Sequence, residues 1–277
     1  MFTEDQMILE KKHIELNHCL KKFASLGVAF SGGVDSSLLL AAARQVLGAR
    51  VIAFTAHSEV HPAGEKEAAI EIARQMGVQH VLFASGEMDD PAFTANPSDR
   101  CYHCKKGLLK LMWAQADALG VQALAHGANL DDLSDFRPGF KATEEMGIAA
   151  PLIEAGLSKA DVRGLAKRLG LSNWDRPAMA CLATRIPYGT PIQGSALSRI
   201  DKAEAFIRRL GAIHCRVRHH GNLARIEIDP NAVELFAGPR IRGQIVSKLR
   251  ELGYAHICLD LEGYASGKMN RDIGHDS

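Results

Sequence analysis

Residues Val28-Ala29-Phe30-Ser31-Gly32-Gly33-Val34-Asp35-Ser36-Ser37 run straight into Leu38-Leu39-Leu40-Ala41-Ala42-Ala43. A short apolar strand therefore has to turn within two glycines and start a helix at once, which confines this region to a buried βα unit. The same arrangement suits a phosphate. Glycines let the backbone approach closely with its N–H groups turned inward, and a helix N-terminus adds unpaired donors and a positive dipole end. Ser31, Ser36 and Ser37 add hydroxyls, and Asp35 is placed either to hold Mg²⁺ or to orient the loop. The string is not a Walker A loop, whose spacing and Lys-Ser/Thr are missing, nor a G-x-G-x-x-G dinucleotide turn. A plain Gly-Gly turn with serine caps would serve any βα unit, but it does not require the whole string.

The rest of the chain repeats that unit. Val51 to Ala56 reads as a buried strand, Ala63 to Met76 as a helix closed by Gly77, and His80 to Ala84 as a third strand. Lys106 to Leu119 is a further helix, stopped by Gly120, and Val121 to Gly127 a fourth strand. An amphipathic helix over about Asp5 to Phe23 precedes them, with Cys19 on its apolar face. Strands alternating with helices predict an α/β fold, a parallel sheet with helices on both faces. Ligands of such sheets bind beyond the carboxyl ends of the strands. The phosphate loop, His57-Ser58 and Gly127-Ala128-Asn129 all fall on that rim, so His57 and Gly127 join Ser31, Gly32, Gly33, Asp35, Ser36 and Ser37 as candidate nucleotide-site residues. Asp131 and Asp132 follow in an acidic loop. Beside a nucleotide they suggest Mg²⁺, with Asp131 and Asp35 as candidate ligands; otherwise they are solvated residues capping a short helix. Ser158 to Leu169 is a helix in which Ser158 and Asp161 have capping-box spacing.

Between Trp174 and Gly194 three prolines and a glycine forbid a long helix or central strand. This loop holds Arg176, Cys181, Arg185 and Tyr188, and flanking arginines favour a thiolate at Cys181. After it the order changes. Ser195 to Leu210 reads as a helix, Ile213 to His219 and Leu223 to Ile228 as a hairpin, Arg242 to Leu252 as a helix and Tyr254 to Leu261 as a strand. Arg216 and Arg218 alternate on that hairpin and so share a face, which suits a phosphate or carboxylate. The expected organisation is a nucleotide-binding domain over residues 1–190 and a small α+β domain over 191–277 that caps it or oligomerises.

Composition narrows the function classes. At 277 residues with 47% hydrophobic, the chain is long enough for one large core or for one plus a small second domain. A net charge of +1 gives no general footprint for RNA or DNA. No apolar run is long enough to cross a bilayer, and the first residues lack the basic and apolar blocks of an export signal. Six cysteines are too few for a disulfide scaffold, so they are expected as reduced thiols in the cytoplasm. The Cys101-x-x-Cys104 pair lacks a second pair to complete a zinc site and is read as structural thiols or thiols neighbouring the nucleotide site.

Ser31 to Ser37 resembles the SGGxDS signature of the PP-loop ATP pyrophosphatases, which bind ATP, release pyrophosphate and leave AMP on a substrate oxygen. Other stretches resemble the LarE family in particular: Arg100-Cys101-Tyr102-His103-Cys104-Lys105; His126 to Asp132 with Asp135-Phe136-Arg137-Pro138-Gly139; Arg176-Pro177-Ala178 through Cys181 to Gly189; Arg216 to Gly221 with Ala224 to Glu227; and Leu261 to Tyr264 with Met269-Asn270. That family makes the organic part of the nickel-pincer nucleotide, the cofactor of lactate racemase. The resemblance implies that ATP, with Mg²⁺, adenylates a carboxylate of pyridinium-3,5-biscarboxylic acid mononucleotide. A cysteine thiolate then displaces AMP, and cleavage of its C–S bond leaves a thiocarboxylate on the substrate and dehydroalanine in the protein. Cys181 matches the sulfur donor, and Arg216 and Arg218 match phosphate-binding arginines; Arg185 is expected to contact substrate as well. Some members carry three cysteines in this loop and an iron–sulfur cluster; Leu182 to Pro187 hold no second thiol, so no cluster is expected here. The family's ring-like oligomers make a homo-oligomer the expected state. A tRNA-thiolating enzyme, an amidase related to NAD synthetase and a non-catalytic nucleotide-binding module are the competing readings.

Overall fold

The computed structural model describes residues 4–134, 138–177, 180–265, 267–269 and 271. Asp135-Phe136-Arg137, Ala178 and Asn270, which carry part of the family resemblance, lie outside the described residues.

The elements run α1 (Glu4–Lys21), β1 (Leu26–Ala29), α2 (Val34–Leu47), β2 (Val51–His57), α3 (Glu65–Gln75), β3 (Gln79–Ala84), α4 (Pro91–Thr94), α5 (Arg100–Ala118), β4 (Ala123–His126), α6 (Pro138–Glu145), α7 (Pro151–Glu154), α8 (Lys159–Arg168), α9 (Gly194–Arg209), β5 (Cys215–His220), β6 (Leu223–Ile228), α10 (Val233–Ala237), α11 (Pro239–Glu251) and β7 (His256–Leu259). The helix expected from Lys106 begins at Arg100, so Cys101 and Cys104 lie in its first turns. The acidic stretch is a short 3-10 turn, Leu130–Ser134, and the capping box of α8 is present, with Ser158 and Asp161 satisfying each other's backbone N–H groups.

The chain separates into two compact units. The first comprises Met1–Ser58, Ala63–Glu87 and Cys101–Met179; the second comprises Glu59–Pro62, Met88–Arg100 and Ala180–Ser277. Relative to the 191–277 domain read from sequence, the second unit also takes in residues 180–190 and two earlier segments. The reason is hydrogen bonding. Leu182 N–H donates to Val60 C=O (2.8 Å), Gly189 N–H to Asn96 C=O (2.8 Å) and Ile192 N–H to Thr94 C=O (2.8 Å).

The first unit is built on a four-stranded parallel sheet, ordered β3-β2-β1-β4. Its strands alternate their side chains between two cores. Val51 and Ala53 face a cluster formed with α1, α2, α3 and α8, including Leu16, Leu20, Leu38, Leu39 and Leu165. Ile52 and Phe54 face Leu109, Met112 and Ala116 of α5. Helices thus cover both faces, as a parallel sheet requires. Because the strands are parallel, the ends of β1, β2 and β4 share one rim; the loop 30–33 and Gly127 follow the ends of β1 and β4, and His57 is the last residue of β2.

The second unit packs β5-β6-β7 against α9, α10 and α11. β5 and β6 form the expected antiparallel hairpin and β7 adds parallel to β6. Ala203, Ile207, Val217, Ile226, Phe236, Ile245 and Leu249 make its core.

Candidate active site

α2 starts without a side-chain cap. Gly33 stands at its N-cap position and supplies no side-chain bond, so the donors of the first turn keep their anion-binding character. Gly32 has a φ of 72° and lies within 3.2–3.3 Å of Ala69 where a Cβ would stand, so only glycine fits there. Inside the loop the Ser31 and Ser36 hydroxyls face each other at 3.2 Å, Ser36 donates to Gly33 C=O (3.1 Å) and Gly33 N–H donates to Ser31 Oγ (3.3 Å). Hydroxyls and amides converge on one small volume at the helix start.

Asp35 is oriented by two donors. Asn129 Nδ2 donates to its Oδ1 (3.0 Å), and the Lys159 ammonium donates to its Oδ2 and pairs with it electrostatically. Lys159 also gives its backbone N–H to Asp131 Oδ2 (3.0 Å), and Asp131 N–H donates to Asn129 Oδ1 (3.0 Å). The two candidate metal ligands are therefore linked through Lys159 and Asn129. Among the described residues no group of three His, Cys, Asp or Glu side chains is arranged to hold a metal ion. A Mg²⁺ ion bound through one or two carboxylates and phosphate oxygens needs no such trio, and the Asp35 and Asp131 carboxylates fit that mode by their hard oxygen donors. Lys159 was not legible as a site residue; its only signal is a lysine at the first position of a helix that follows the rim.

Gly127 packs against the start of α2. A Cβ there would stand 2.7 Å from Ser36 N and 2.9 Å from the Asp35 carbonyl carbon. Next to it His126 is buried, edge-on to Phe140 (5.6 Å between centroids). Burial, with the nearby Lys105 charge, pushes His126 down to about 4, so it is a neutral imidazole near pH 7. His57 C=O accepts from Ser85 N–H (3.1 Å), which fixes the end of β2.

Cys181 lies in the second unit, partly buried, at the entrance to a 3-10 turn, Leu182–Arg185. Arg185 holds that turn. It is fully buried, and its guanidinium donates to Glu204 (Nε 2.7 Å, Nη2 2.9 Å), Ala180 C=O (2.8 Å), Cys181 C=O (3.0 Å) and Thr184 Oγ1 (2.8 Å). Arg185 is expected from the family resemblance to contact substrate; as placed, its donors are committed to the loop and to Glu204. Burial penalises both partners, but the mutual bidentate bond outweighs it: Glu204 is held below the usual carboxylate range and Arg185 above its ordinary value. Glu204 also accepts from Arg208 and from Val217 N–H (3.0 Å), tying the loop to α9 and β5.

Arg216 and Arg218 share a face of β5, as their alternation requires, but that face is buried rather than solvated. Arg218 makes a two-bond fork to Glu227 (3.0 and 2.7 Å) and donates to Thr184 C=O (2.9 Å). Arg216 donates to Cys215 C=O (2.8 Å) and lies over the Tyr264 ring, 5.1 Å from its centroid. Burial, followed by the neighbouring Arg185 charge, lowers the Arg216 pKa. Of the other thiols, Cys19 and Cys215 are buried, and burial pushes Cys215 far up, whereas Cys101 and Cys258 are exposed.

A glycine-serine loop opening an uncapped helix at the carboxyl rim of a parallel sheet defines a nucleotide-binding domain of the PP-loop class. In agreement, the asparagine synthase family profile matches residues 16–96. The chain is 35% identical over 263 residues, 95% of both chains, to the pyridinium-3,5-bisthiocarboxylic acid mononucleotide synthase of Lactiplantibacillus plantarum. An uncharacterized protein of Synechocystis is 42% identical over 95% of this chain and 98% of its own length. A GMP synthase of Aeropyrum pernix is 26% identical over 65% of this chain. The chain belongs to the LarE family. Among the described residues no helix is long and apolar enough to cross a membrane.

Proposed function

We propose that this chain is an ATP-dependent sulfur transferase that converts a carboxylate of pyridinium-3,5-biscarboxylic acid mononucleotide to a thiocarboxylate, one sulfur per protein molecule, so that two molecules acting in turn give the bisthiocarboxylic form, a step in making the nickel-pincer nucleotide. The observation that carries the reading is the whole-length identity to a synthase named for that product. The loop chemistry supports it. A carboxylate is a poor acyl donor until AMP gives it a leaving group, and the uncapped start of α2 with Ser31, Ser36 and Ser37 suits the phosphates of ATP. Lys159, paired with Asp35, supplies a cation to the same site. Asp35 and Asp131 are the carboxylates that would hold Mg²⁺, which would offset charge as pyrophosphate leaves.

In the second step the Cys181 thiolate attacks the acyl adenylate, forming a thioester and releasing AMP. A base then removes the Cα proton of Cys181. That electron pair becomes the Cα=Cβ bond of dehydroalanine while the Cβ–S bond breaks and the thiocarboxylate departs with the sulfur. Arg185 and Thr184 bond the carbonyl of Cys181 and so fix the backbone on which both steps depend. Arg216 and Arg218 are proposed to bind the nucleotide phosphate, with Arg185 as the residue that holds the loop. The test is pyrophosphate release. With ATP, Mg²⁺ and the biscarboxylic mononucleotide, AMP, pyrophosphate and the thiocarboxylate should form together; release only with tRNA, or only with ammonia and an acid acceptor, would overturn the reading.

A further inference from the structure

Asn173 follows α8, outside every motif named above, and is 5% exposed. Its Nδ2 donates to Gly32 C=O (2.8 Å) and to Ser37 Oγ (2.8 Å). Its Oδ1 is buried and has no hydrogen-bond partner. A buried acceptor without a donor is destabilising, and an apolar residue of similar size would avoid the penalty. Packing alone therefore does not account for an asparagine at this position. What only the amide supplies is the donor on Gly32.

We propose that Asn173 is a positioning residue that sets the phosphate loop for ATP. The carbonyl of Gly32 and the N–H of Gly33 belong to one planar trans peptide and point in opposite directions. Pinning Gly32 C=O from behind therefore aims Gly33 N–H to the other side, where it meets Ser31 Oγ. Gly32 needs this help, because a residue without Cβ is free to leave the positive φ it adopts here. The bond to Ser37 joins the same amide to the first turns of α2, so loop and helix start are held in one geometry. Asn173 touches no phosphate itself; it acts through the Gly32–Gly33 peptide. The inference rests on ATP being bound at this loop, part of the function proposed above.

The test is calorimetric titration of the full-length protein with Mg-ATP and, separately, with inorganic pyrophosphate, for the native chain, Asn173→Ala and the near-isosteric, uncharged Asn173→Leu. Loss of two hydrogen bonds should weaken both ligands about tenfold in each variant, with the thermal midpoint shifted by no more than about 5 °C. Pyrophosphate is the decisive probe, since it engages only the phosphate-binding groups. Binding within about twofold of the native chain in a folded variant overturns the proposal, and so does a loss of ATP affinity with pyrophosphate affinity unchanged. Failure of both variants to fold also overturns it, by making Asn173 a residue of the core. Absence of ATP binding in the native chain sinks the proposed function along with the inference, so the two failures are distinguishable.

Discussion

Arg185 grips both carboxylate oxygens of Glu204, and neither side chain is exposed to solvent. Removing one partner leaves the other charge buried and unpaired, which costs about 3–5 kcal/mol. Glu204→Ala should therefore destabilise the protein by about that amount in denaturant unfolding, with the Cys181 turn losing protection from amide hydrogen exchange. A loss below about 1 kcal/mol would mean that Arg185 is satisfied by the loop carbonyls alone.

Cys181 and Cys215, two of the three thiols of the second unit, should separate cleanly. Cys181→Ala should retain ATP binding and fold but form no thiocarboxylate. Cys215, fully buried and with its pKa raised by burial, is no nucleophile near neutral pH. Cys215→Ala should keep turnover and lose only about 1 kcal/mol of stability from the small cavity. Chromatographic detection of product in both variants decides the assignment.

Gly127 is argued from space rather than motif. In Gly127→Ala the new methyl meets Ser36 N at 2.7 Å, so the start of α2 has to move. Overpacking of this kind costs about 1–3 kcal/mol, and ATP affinity should fall by about tenfold or more. Unchanged affinity would show that the helix start tolerates displacement.

Much of this was legible because it is local. The Gly32-Gly33 turn and the Ser158–Asp161 capping box rest on residues a few positions apart, whose spacing fixes their geometry. The partners of Arg185, Arg218 and Asp35 were not legible. Glu204, Glu227 and Lys159 come from other elements, and periodicity marks a face without naming what meets it. The same holds for residues 59–62 and 88–100, joined to the second unit by bonds such as Asn96 Nδ2 to Pro187 C=O (2.8 Å) and Thr190 C=O (2.8 Å).

His126 gives an acid limb to stability. Its folded pKa of about 4 lies below the ordinary 6.5, so between these values the unfolded chain binds a proton that the folded chain refuses. Stability is therefore full above pH 6.5 and falls as pH drops towards about 4, by about 3 kcal/mol in all. In His126→Gln the loss over that window should shrink by that amount in unfolding experiments at stepped pH. An unchanged slope would show that His126 is not kept neutral by burial.

The central claim is that Cys181 gives up its sulfur. It is tested by intact-protein mass spectrometry after incubation with ATP, Mg²⁺ and the biscarboxylic mononucleotide, followed by peptide mapping. The account predicts a protein lighter by one H₂S, with dehydroalanine at position 181. Formation of the thiocarboxylate while the protein mass stays unchanged would contradict it.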